Sequence, residues 1–249
     1  MSPKVPSSFW GNDMLNNRWP RQSAPKEGLH LESNLSNAIY RLENRLMTVS
    51  WTPHRFTGGL LALDTANTVV LRGDPRKTFD RFDDPGEIAR FADAASGFRA
   101  AELGGRRLAA SSPVRIAPVV LSIREATDRL FRGAVSKGAL ATADLPAFLG
   151  ACADGLAGSR TEIGAAGKPF GDTATPIAFE AALAVSALSL LRDDTVARLR
   201  ICPNCTWLFV DRSRNSSRLW CDMAVCGNRQ KASRHYRRRR TAANEVDNV

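Results

Sequence analysis

Residues 202–229, CPNCTWLFVDRSRNSSRLWCDMAVCGNR, contain four of the five cysteines in this chain. Two residues separate Cys202 from Cys205, and four separate Cys221 from Cys226. A two-residue gap lets a tight turn direct both sulfurs toward one ion, and a second pair completes a tetrahedron. Such a closed set of four thiolates leaves no open position for water, so it is typical of a structural metal site. The spacing therefore predicts one structural Zn²⁺ ion bound by these four cysteines.

The segments around the cysteines predict a small zinc-dependent fold. Residues 206–210 and 218–221 are rich in apolar and aromatic residues and predict a hairpin, with the polar residues 211–217 as its turn. Three aromatic side chains are expected to form a miniature core beside the ion: Trp207, Phe209 and Trp220. After the last cysteine, Asn228 can cap a basic helix. A metal-binding turn, a hairpin and a terminal helix together predict a treble-clef-like finger that unfolds without its metal.

Positive charge is concentrated in the same part of the chain. The sequence holds 35 Lys and Arg residues against 25 Asp and Glu residues, a net charge of +10. Residues 198–240 contain twelve of those basic residues and two of the acidic ones, which leaves 23 of each for the rest of the chain. Such clustering over a small surface favours contact with nucleic-acid phosphates. The predicted DNA-binding residues are Arg212, Arg214, Arg218, Arg229, Lys231, Arg234, Arg237, Arg238, Arg239 and Arg240.

The sequence has no features that predict membrane insertion. No stretch is both apolar and long enough to cross a bilayer, and the N-terminus has no apolar run behind a basic start. We therefore expect a soluble, cytoplasmic protein with no membrane partner. In a reducing cytosol, closely spaced cysteines hold a metal more often than they form disulfides. A redox role for Cys202 and Cys205 is disfavoured, because the second cysteine pair provides the partners that a structural metal needs.

Composition divides the chain into four segments. Residues 1–47 are rich in Asn, Pro, Ser and Arg and predict a flexible extension. The alternative is a mis-assigned translation start, since Met47 directly precedes the first domain-like stretch. Residues 48–197 predict a mainly helical domain with a few short strands, an α+β fold. Residues 198–240 are the predicted finger with its basic helix, and residues 241–249 are a predicted disordered tail.

Turn residues and apolar periodicity predict the elements of the helical domain. The paired glycine and the β-branched residues of 54–73 predict short strands joined by a turn. Helices are predicted after Pro85, over 117–137 with Gly138 at the end, over 143–158 and over 175–191. The last of these is apolar on nearly all sides and is expected at the centre of the domain. Cys152, the fifth cysteine, is interpreted as a small buried apolar side chain.

No catalytic motif is found, so the protein is not predicted to be an enzyme. The three histidines are scattered along the chain, and no serine lies in a nucleophile elbow. The glycines within 54–73 lack both the P-loop lysine and the dinucleotide-binding spacing. Asp64 and Asn67 are polar residues in an otherwise apolar stretch. A capping or turn role is favoured for them, and a ligand-binding role is the alternative.

The sequence resembles a known bacterial protein family. The finger resembles the CGNR zinc-finger family, which is named for the four residues found here at 226–229. Upstream, FTGGLLALDTANTVVLRG, residues 56–73, resembles the opening of the ABATE domain. That domain precedes the finger in bacterial proteins described as stress-induced transcription regulators. The resemblance covers about residues 53–240 and implies a mostly helical N-terminal domain with a few strands, followed by a zinc-dependent DNA-binding C-terminus.

Together these observations predict a DNA-binding transcription regulator. Its helical domain is expected to sense a small-molecule effector or to form a homodimer, and its finger to contact DNA. One alternative is an RNA-binding or ribosome-associated zinc protein, which a preference for structured RNA would reveal. A second alternative is a small-molecule enzyme with a structural zinc appendage, which would require a converging nucleophile, base and set of oxyanion donors.

Overall fold

The structure, a computed structural model, describes residues 49–158, 175–233 and Tyr236. The predictions for residues 1–47 and 241–249 lie outside the described residues. So do those for five predicted DNA-binding residues: Arg234, Arg237, Arg238, Arg239 and Arg240. Within the described ranges, no helix combines the length and the apolar character needed to span a bilayer.

The described residues form helices joined by short strands, as the predicted α+β fold requires. The helices are α1 (Leu61–Ala66), α2 (Gly86–Phe98), α3 (Pro113–Lys137), α4 (Leu145–Ala157), α5 (Phe179–Ser189) and α6 (Asp193–Val196). The strands are β1 (Val69–Val70), β2 (Phe79–Asp80), β3 (Leu108–Ala109), β4 (Ile177–Ala178), β5 (Leu199–Ile201) and β6 (Leu208–Val210). The predicted helix after Pro85 is confirmed as α2.

The longest helix among the described residues, α3, buries one face at helical spacing. Along this face, buried positions recur every three or four residues: Ile116, Val120, Ile123, Thr127, Leu130 and Ala134. Gly138 ends the helix with a φ of 75°, a left-handed conformation that glycine adopts without a steric penalty. The predicted helix over 117–137 is therefore confirmed. It begins earlier, at Pro113, because a proline fits the first turn of a helix.

Helices α4 and α5 pack against α3 and against each other. Helix α4 confirms the helix predicted over 143–158, and Cys152 on it is 1% exposed. Burial raises the pKa of Cys152 to about 11, so its thiol stays protonated and behaves as an apolar side chain. Helix α5 is buried on nearly all sides and lies in the core, as predicted.

Within the described residues, the strands form three two-stranded sheets. Strands β1 and β2 are antiparallel, whereas β3 and β4 are parallel, with Leu108 opposite Ile177. The helix predicted over 175–191 therefore begins later in the structure than predicted. Ile177 and Ala178 pair with β3, and the helix begins at Phe179.

The prediction of short strands over 54–73 is wrong for most of that stretch. Pro53–Phe56 form a 3-10 helix, and the six residues of α1 are helical, so the strand in this stretch is β1 alone among the elements described. All six residues of α1 are buried. A helix with no exposed face has no amphipathic pattern, and periodicity cannot separate a short buried helix from a buried strand.

The hairpin of the finger also differs from the prediction. Strand β6 pairs with β5, which precedes the first cysteine, and Leu199 lies opposite Val210. Residues 218–221 form no strand. Instead, the buried carboxylate of Asp211 accepts the N–H of Arg218 at 2.9 Å and so closes the following loop with a side chain rather than a strand ladder. The metal-binding turn therefore lies inside the hairpin.

Strand β6 lies between two hydrophobic clusters. Successive side chains along a strand point to opposite faces. Leu208 and Val210 join the large core of the helices, whereas Trp207 and Phe209 join a smaller cluster around the cysteines. This smaller cluster, with Trp220 packed against it, confirms the predicted aromatic core of the finger. The helical core and the finger thus share one strand.

Candidate metal centre

The four cysteine sulfurs of the finger converge on one point. Their Sγ atoms all lie within 4.8 Å of one another. The Sγ of Cys221 is 3.4 Å from that of Cys205 and 3.6 Å from that of Cys226. Zn–S bonds of about 2.3 Å in a tetrahedron place the sulfurs about 3.8 Å apart. The cluster therefore fits a tetrahedral zinc ion, and its sulfurs are too far apart for a disulfide.

Burial and crowding make four charged thiolates unfavourable here without a cation. The pKa of Cys202 is lowered, because the thiols of Cys205 and Cys221 donate hydrogen bonds to its sulfur. The pKa of Cys205 and of Cys221 is raised, because these thiols are the hydrogen-bond donors and because burial and the Cys202 thiolate oppose further negative charge. A divalent cation among the sulfurs would remove this opposition and allow all four to ionise.

The β5–β6 hairpin shapes the first ligand pair. The N–H of Cys202 donates to the Trp207 carbonyl at 2.9 Å, and the N–H of Thr206 donates to the Cys202 carbonyl at 2.8 Å. Thr206 has a φ of 62°, a left-handed conformation that turns the chain back toward β6. Arg132 on α3 donates from Nη1 to the Thr206 carbonyl at 2.8 Å. This tight, supported turn brings Cys202 and Cys205 to the same ion position.

Asp222 shapes the second ligand pair. Its carboxylate accepts the N–H groups of Ala224 at 2.8 Å and Val225 at 3.3 Å. Helical backbone begins with the wide π-turn Met223–Gly227, which contains the last cysteine, and continues through residue 233. The prediction that Asn228 caps this helix is therefore wrong. Asp222 caps it ahead of the last ligand, because its side chain is the one that reaches the free N–H groups of the first turn.

The glycine that follows the last cysteine lies in a confined position. A Cβ at Gly227 would overlap Met223 Sδ and would lie 3.3 Å from Trp220 Cδ1.

On the neighbouring turn, Asn204 Nδ2 donates to Cys226 Sγ at 3.4 Å. A hydrogen bond of this kind orients a metal ligand and stabilises its negative charge.

Asp64 and Asn67, the two polar residues in the apolar stretch 54–73, form contacts within the protein. The Asn67 amide makes two hydrogen bonds with the backbone of Leu208, each 2.9 Å long. Asp64 is 1% exposed and accepts the N–H of Gly58 at 2.8 Å and Nε of Arg99 at 2.5 Å. These are the contacts of structural polar residues, and Asn67 connects the helical part directly to the finger.

Two residues not identified from the sequence lie beside the cysteine cluster. His54 Nδ1 is 2.8 Å from Asp222 Oδ2, and the His54 ring stacks on Trp207 with 5.2 Å between centroids. The guanidinium of Arg81 lies 5.5 Å from the centre of the same Trp207 ring. His54 and Asp222 are 168 residues apart in sequence, so no local spacing indicates that they meet.

The predicted DNA-binding residues within the described ranges fall into two groups. Three have exposed side chains that make no hydrogen bond or ion pair with another described residue: Arg214, Arg229 and Lys231. Arg212 and Arg218 instead donate to backbone carbonyls, from Arg212 Nη2 to Gly59 at 2.8 Å and from Arg218 Nε to Trp220 at 2.8 Å. Arg218 also covers the Phe209 ring at 5.3 Å, so it helps to hold the finger together.

Comparison with known proteins agrees with this geometry. Residues 198–239 match the family model of the CGNR zinc finger. The matched segment contains both hairpin strands, all four clustered cysteines and the three exposed basic residues. No curated protein matches the chain, and no solved structure matches it. The residues that converge in the structure are therefore those of a zinc finger of the CGNR type.

Proposed function

We propose that this protein is a DNA-binding transcription regulator whose zinc finger contacts DNA. The observation that carries the proposal is the distribution of charge: residues 198–240 hold twelve basic and two acidic residues, and the rest of the chain is balanced. In the described part of the finger, Arg214, Arg229 and Lys231 are exposed and have no carboxylate partner among the described residues. Exposed cations on a rigid scaffold suit contacts with DNA phosphates.

The side chains of the finger would bind the DNA, and the ion would hold those side chains in place. When bound by the four cysteines, one Zn²⁺ ion provides a structural cross-link between the hairpin and the terminal helix. Asp222 then orients the start of the helix that carries Arg229 and Lys231. These cations would neutralise phosphates and release counterions, so the affinity would fall as the salt concentration rises.

The helical part would provide the regulatory input. The resemblance of its opening to the ABATE domain supports a role in sensing a small molecule or forming a homodimer, in the bacterial cytoplasm and as part of a stress response. Binding to paired half-sites on DNA would require the dimer. A catalytic role is not proposed, because two carboxylates of this part are bonded to protein groups, Asp64 to Arg99 and Glu102 to Ser186.

A DNA titration at two salt concentrations tests the proposed function. Zinc-loaded full-length protein should bind duplex DNA, with a slope of log K against log salt near −0.9 per phosphate contacted. Replacing Arg229 and Lys231 together by Gln should weaken binding and make the slope shallower by about 1.8. Arg107→Gln is the control, since this arginine is 73% exposed on the helical part, and it should bind as wild type does.

The same titration separates the alternatives. A zinc-loaded protein that shows no salt-sensitive binding to duplex DNA would refute the proposed function. Tighter binding to structured RNA than to duplex DNA would instead support an RNA-binding or ribosome-associated zinc protein.

A further inference from the structure

Arg81 is a buried arginine whose neighbouring carboxylate is bonded to another residue. It is 7% exposed and directly follows β2. Asp80, the preceding residue, binds Arg124 through hydrogen bonds of 2.7 and 2.6 Å. Among the described residues, Arg81 donates from Nη1 to the Asn67 carbonyl at 3.3 Å. A buried guanidinium without a bonded carboxylate is destabilising unless another anion lies nearby.

The other groups near Arg81 include a second cation. Arg55 Nε is buried and has no hydrogen-bond partner among the described residues. Burial, followed by repulsion from Arg55, lowers the pKa of Arg81 to about 9, whereas the charges of Asp80 and Cys205 act in the opposite direction. Because Asp80 is already bonded to Arg124, the remaining negative charge among these neighbours would come from Cys205 once the cluster holds a metal ion.

Trp207 connects Arg81 to the cysteine cluster. The Arg81 guanidinium lies 5.5 Å from the centre of the Trp207 ring, and Trp207 packs in the same small cluster as the cysteines. A zinc ion with four thiolates carries about two excess negative charges. In a protein interior, where the effective dielectric constant is well below that of water, a nearby cation stabilises such a centre.

His54 acts on the same cluster through Asp222. Its Nδ1 lies 2.8 Å from Asp222 Oδ2 while its ring stacks on Trp207. The other carboxylate oxygen of Asp222 caps the turn that carries Cys226. His54 therefore holds in place the carboxylate that shapes the second ligand pair.

We propose that Arg81 and His54, both from the helical part of the chain, form the outer sphere of the four-cysteine metal centre and raise its affinity for zinc. Arg81 offsets the negative charge of the metal–thiolate group, and His54 is a positioning residue that acts through Asp222. Both roles depend on the metal centre and are independent of DNA binding. The affinity of the finger for zinc then depends on residues outside the segment 198–239 that matches the finger family.

The zinc affinity of the full-length protein tests this assignment. Reduced, metal-free protein is titrated with Zn²⁺ in competition with a chromophoric chelator, which yields an apparent Kd. Arg81→Gln removes the charge and can keep the hydrogen bond to the Asn67 carbonyl, whereas Arg81→Lys keeps the charge. We expect Arg81→Gln to raise the Kd about 10- to 100-fold, as outer-sphere substitutions do, and Arg81→Lys to raise it much less. His54→Phe keeps an aromatic ring against Trp207 and should raise the Kd about tenfold.

Arg107→Gln is the matched control, because Arg107 is an exposed arginine of the helical part that pairs with Asp93. Its Kd for zinc should equal that of the wild type. Because zinc binding is coupled to folding of the finger, a role in packing alone would raise the Kd by the same factor in Arg81→Gln and Arg81→Lys. That result, like an unchanged Kd, would overturn the assignment. If Arg81→Gln does not fold, the test uses His54→Phe instead. A raised Kd for this variant supports the outer-sphere assignment, and an unchanged Kd overturns it.

Discussion

The side-chain amide of Asn67 forms two hydrogen bonds with the backbone of Leu208, donating from Nδ2 to its carbonyl and accepting its N–H at Oδ1, each at 2.9 Å. The amide thus pairs with β6 as a neighbouring strand would. Both residues are at most 2% exposed, so water cannot replace these bonds. Because Leu208 lies in sequence between the two pairs of cysteine ligands, the contact ties the helical part to the finger.

Replacing Asn67 by Ala should destabilise the fold, because the N–H and carbonyl of Leu208 would be left buried and unpaired. Each such group costs about 1–3 kcal/mol, so the free energy of unfolding should fall by roughly 2 kcal/mol or more. Denaturant unfolding of the zinc-loaded protein measures this change. Asn215→Ala, at an exposed loop position of the finger, should change stability by less than about 0.5 kcal/mol. An Asn67→Ala protein as stable as the control would contradict the bridging role.

Loss of the metal should destabilise the helical part as well as the finger. Cys221→Ser removes one ligand, so we expect the zinc content measured by atomic emission to fall from one ion per chain to near zero. Because Leu208 and Val210 belong to the helical core, the midpoint of helix unfolding by circular dichroism should fall as well. Cys152→Ser is the control, since Cys152 lies on α4 outside the cluster and its replacement should leave the zinc content unchanged. If chelator does not change the midpoint of helix unfolding in the wild-type protein, the two parts unfold independently.

Two glycines of α4 should respond in opposite directions to replacement by alanine. A Cβ at Gly155 would lie 2.7 Å from Ile123 Cδ1, 3.0 Å from the Glu180 carbonyl and 3.2 Å from Ala184 Cβ. The Glu180 carbonyl belongs to the backbone of α5 and cannot move aside easily, so Gly155→Ala should lower stability by about 1–3 kcal/mol. Gly150 has nothing within 4 Å, and alanine there should raise stability by about 0.5–1 kcal/mol through its helix propensity. Thermal unfolding of the two variants measures both changes in stability relative to wild type. Equal changes in the two variants would contradict the tight packing of α4 on α5.

Asp64 should make the protein less stable as the pH rises from about 4 to about 7. Burial raises the pKa of Asp64 to about 7, although Arg99 and the Gly58 N–H oppose this effect. In the unfolded chain the value is about 3.9, so the folded state binds more protons over this interval and loses stability as they dissociate.

The comparison variant for this titration is Asp64→Asn, which keeps the shape and cannot ionise. The free energy of unfolding of wild type minus that of the variant should fall with rising pH, by at most about 1.4 kcal/mol per pH unit. Urea unfolding at several pH values between about 4.5 and about 7.5 measures this difference, and any titration of the cysteines affects both proteins alike. A difference that does not change with pH would contradict the raised pKa.

The cysteine cluster and the main helices could be predicted from the sequence because they depend on short-range patterns. A CxxC turn needs only neighbouring residues, and the structure places those four sulfurs within 4.8 Å of one another. Helix α3 was predicted for the same reason, since its buried positions repeat along one face. Helix α1 was missed, because all of its residues are buried and it has no amphipathic pattern to detect.

The pairing of β6 was predicted wrongly because two apolar segments compete for it. Residues 199–201 and 218–221 have similar composition, and composition cannot choose between them. Hydrogen bonds decide the choice: the turn after Cys202 closes on Trp207, and the Asp211 carboxylate holds the N–H of Arg218 outside the sheet.

Local chemistry along the chain thus specified the four clustered cysteines, the concentration of positive charge and the helices with a clear apolar face, because these features act over a few residues. The docking of distant segments specified which groups support the ligands. Asn67 meets Leu208 across 141 residues, and His54 meets Asp222 across 168. Burial and pairing of these polar groups depend on neighbours that come together only when the helices pack on the β5–β6 hairpin, and chain order does not reveal those neighbours.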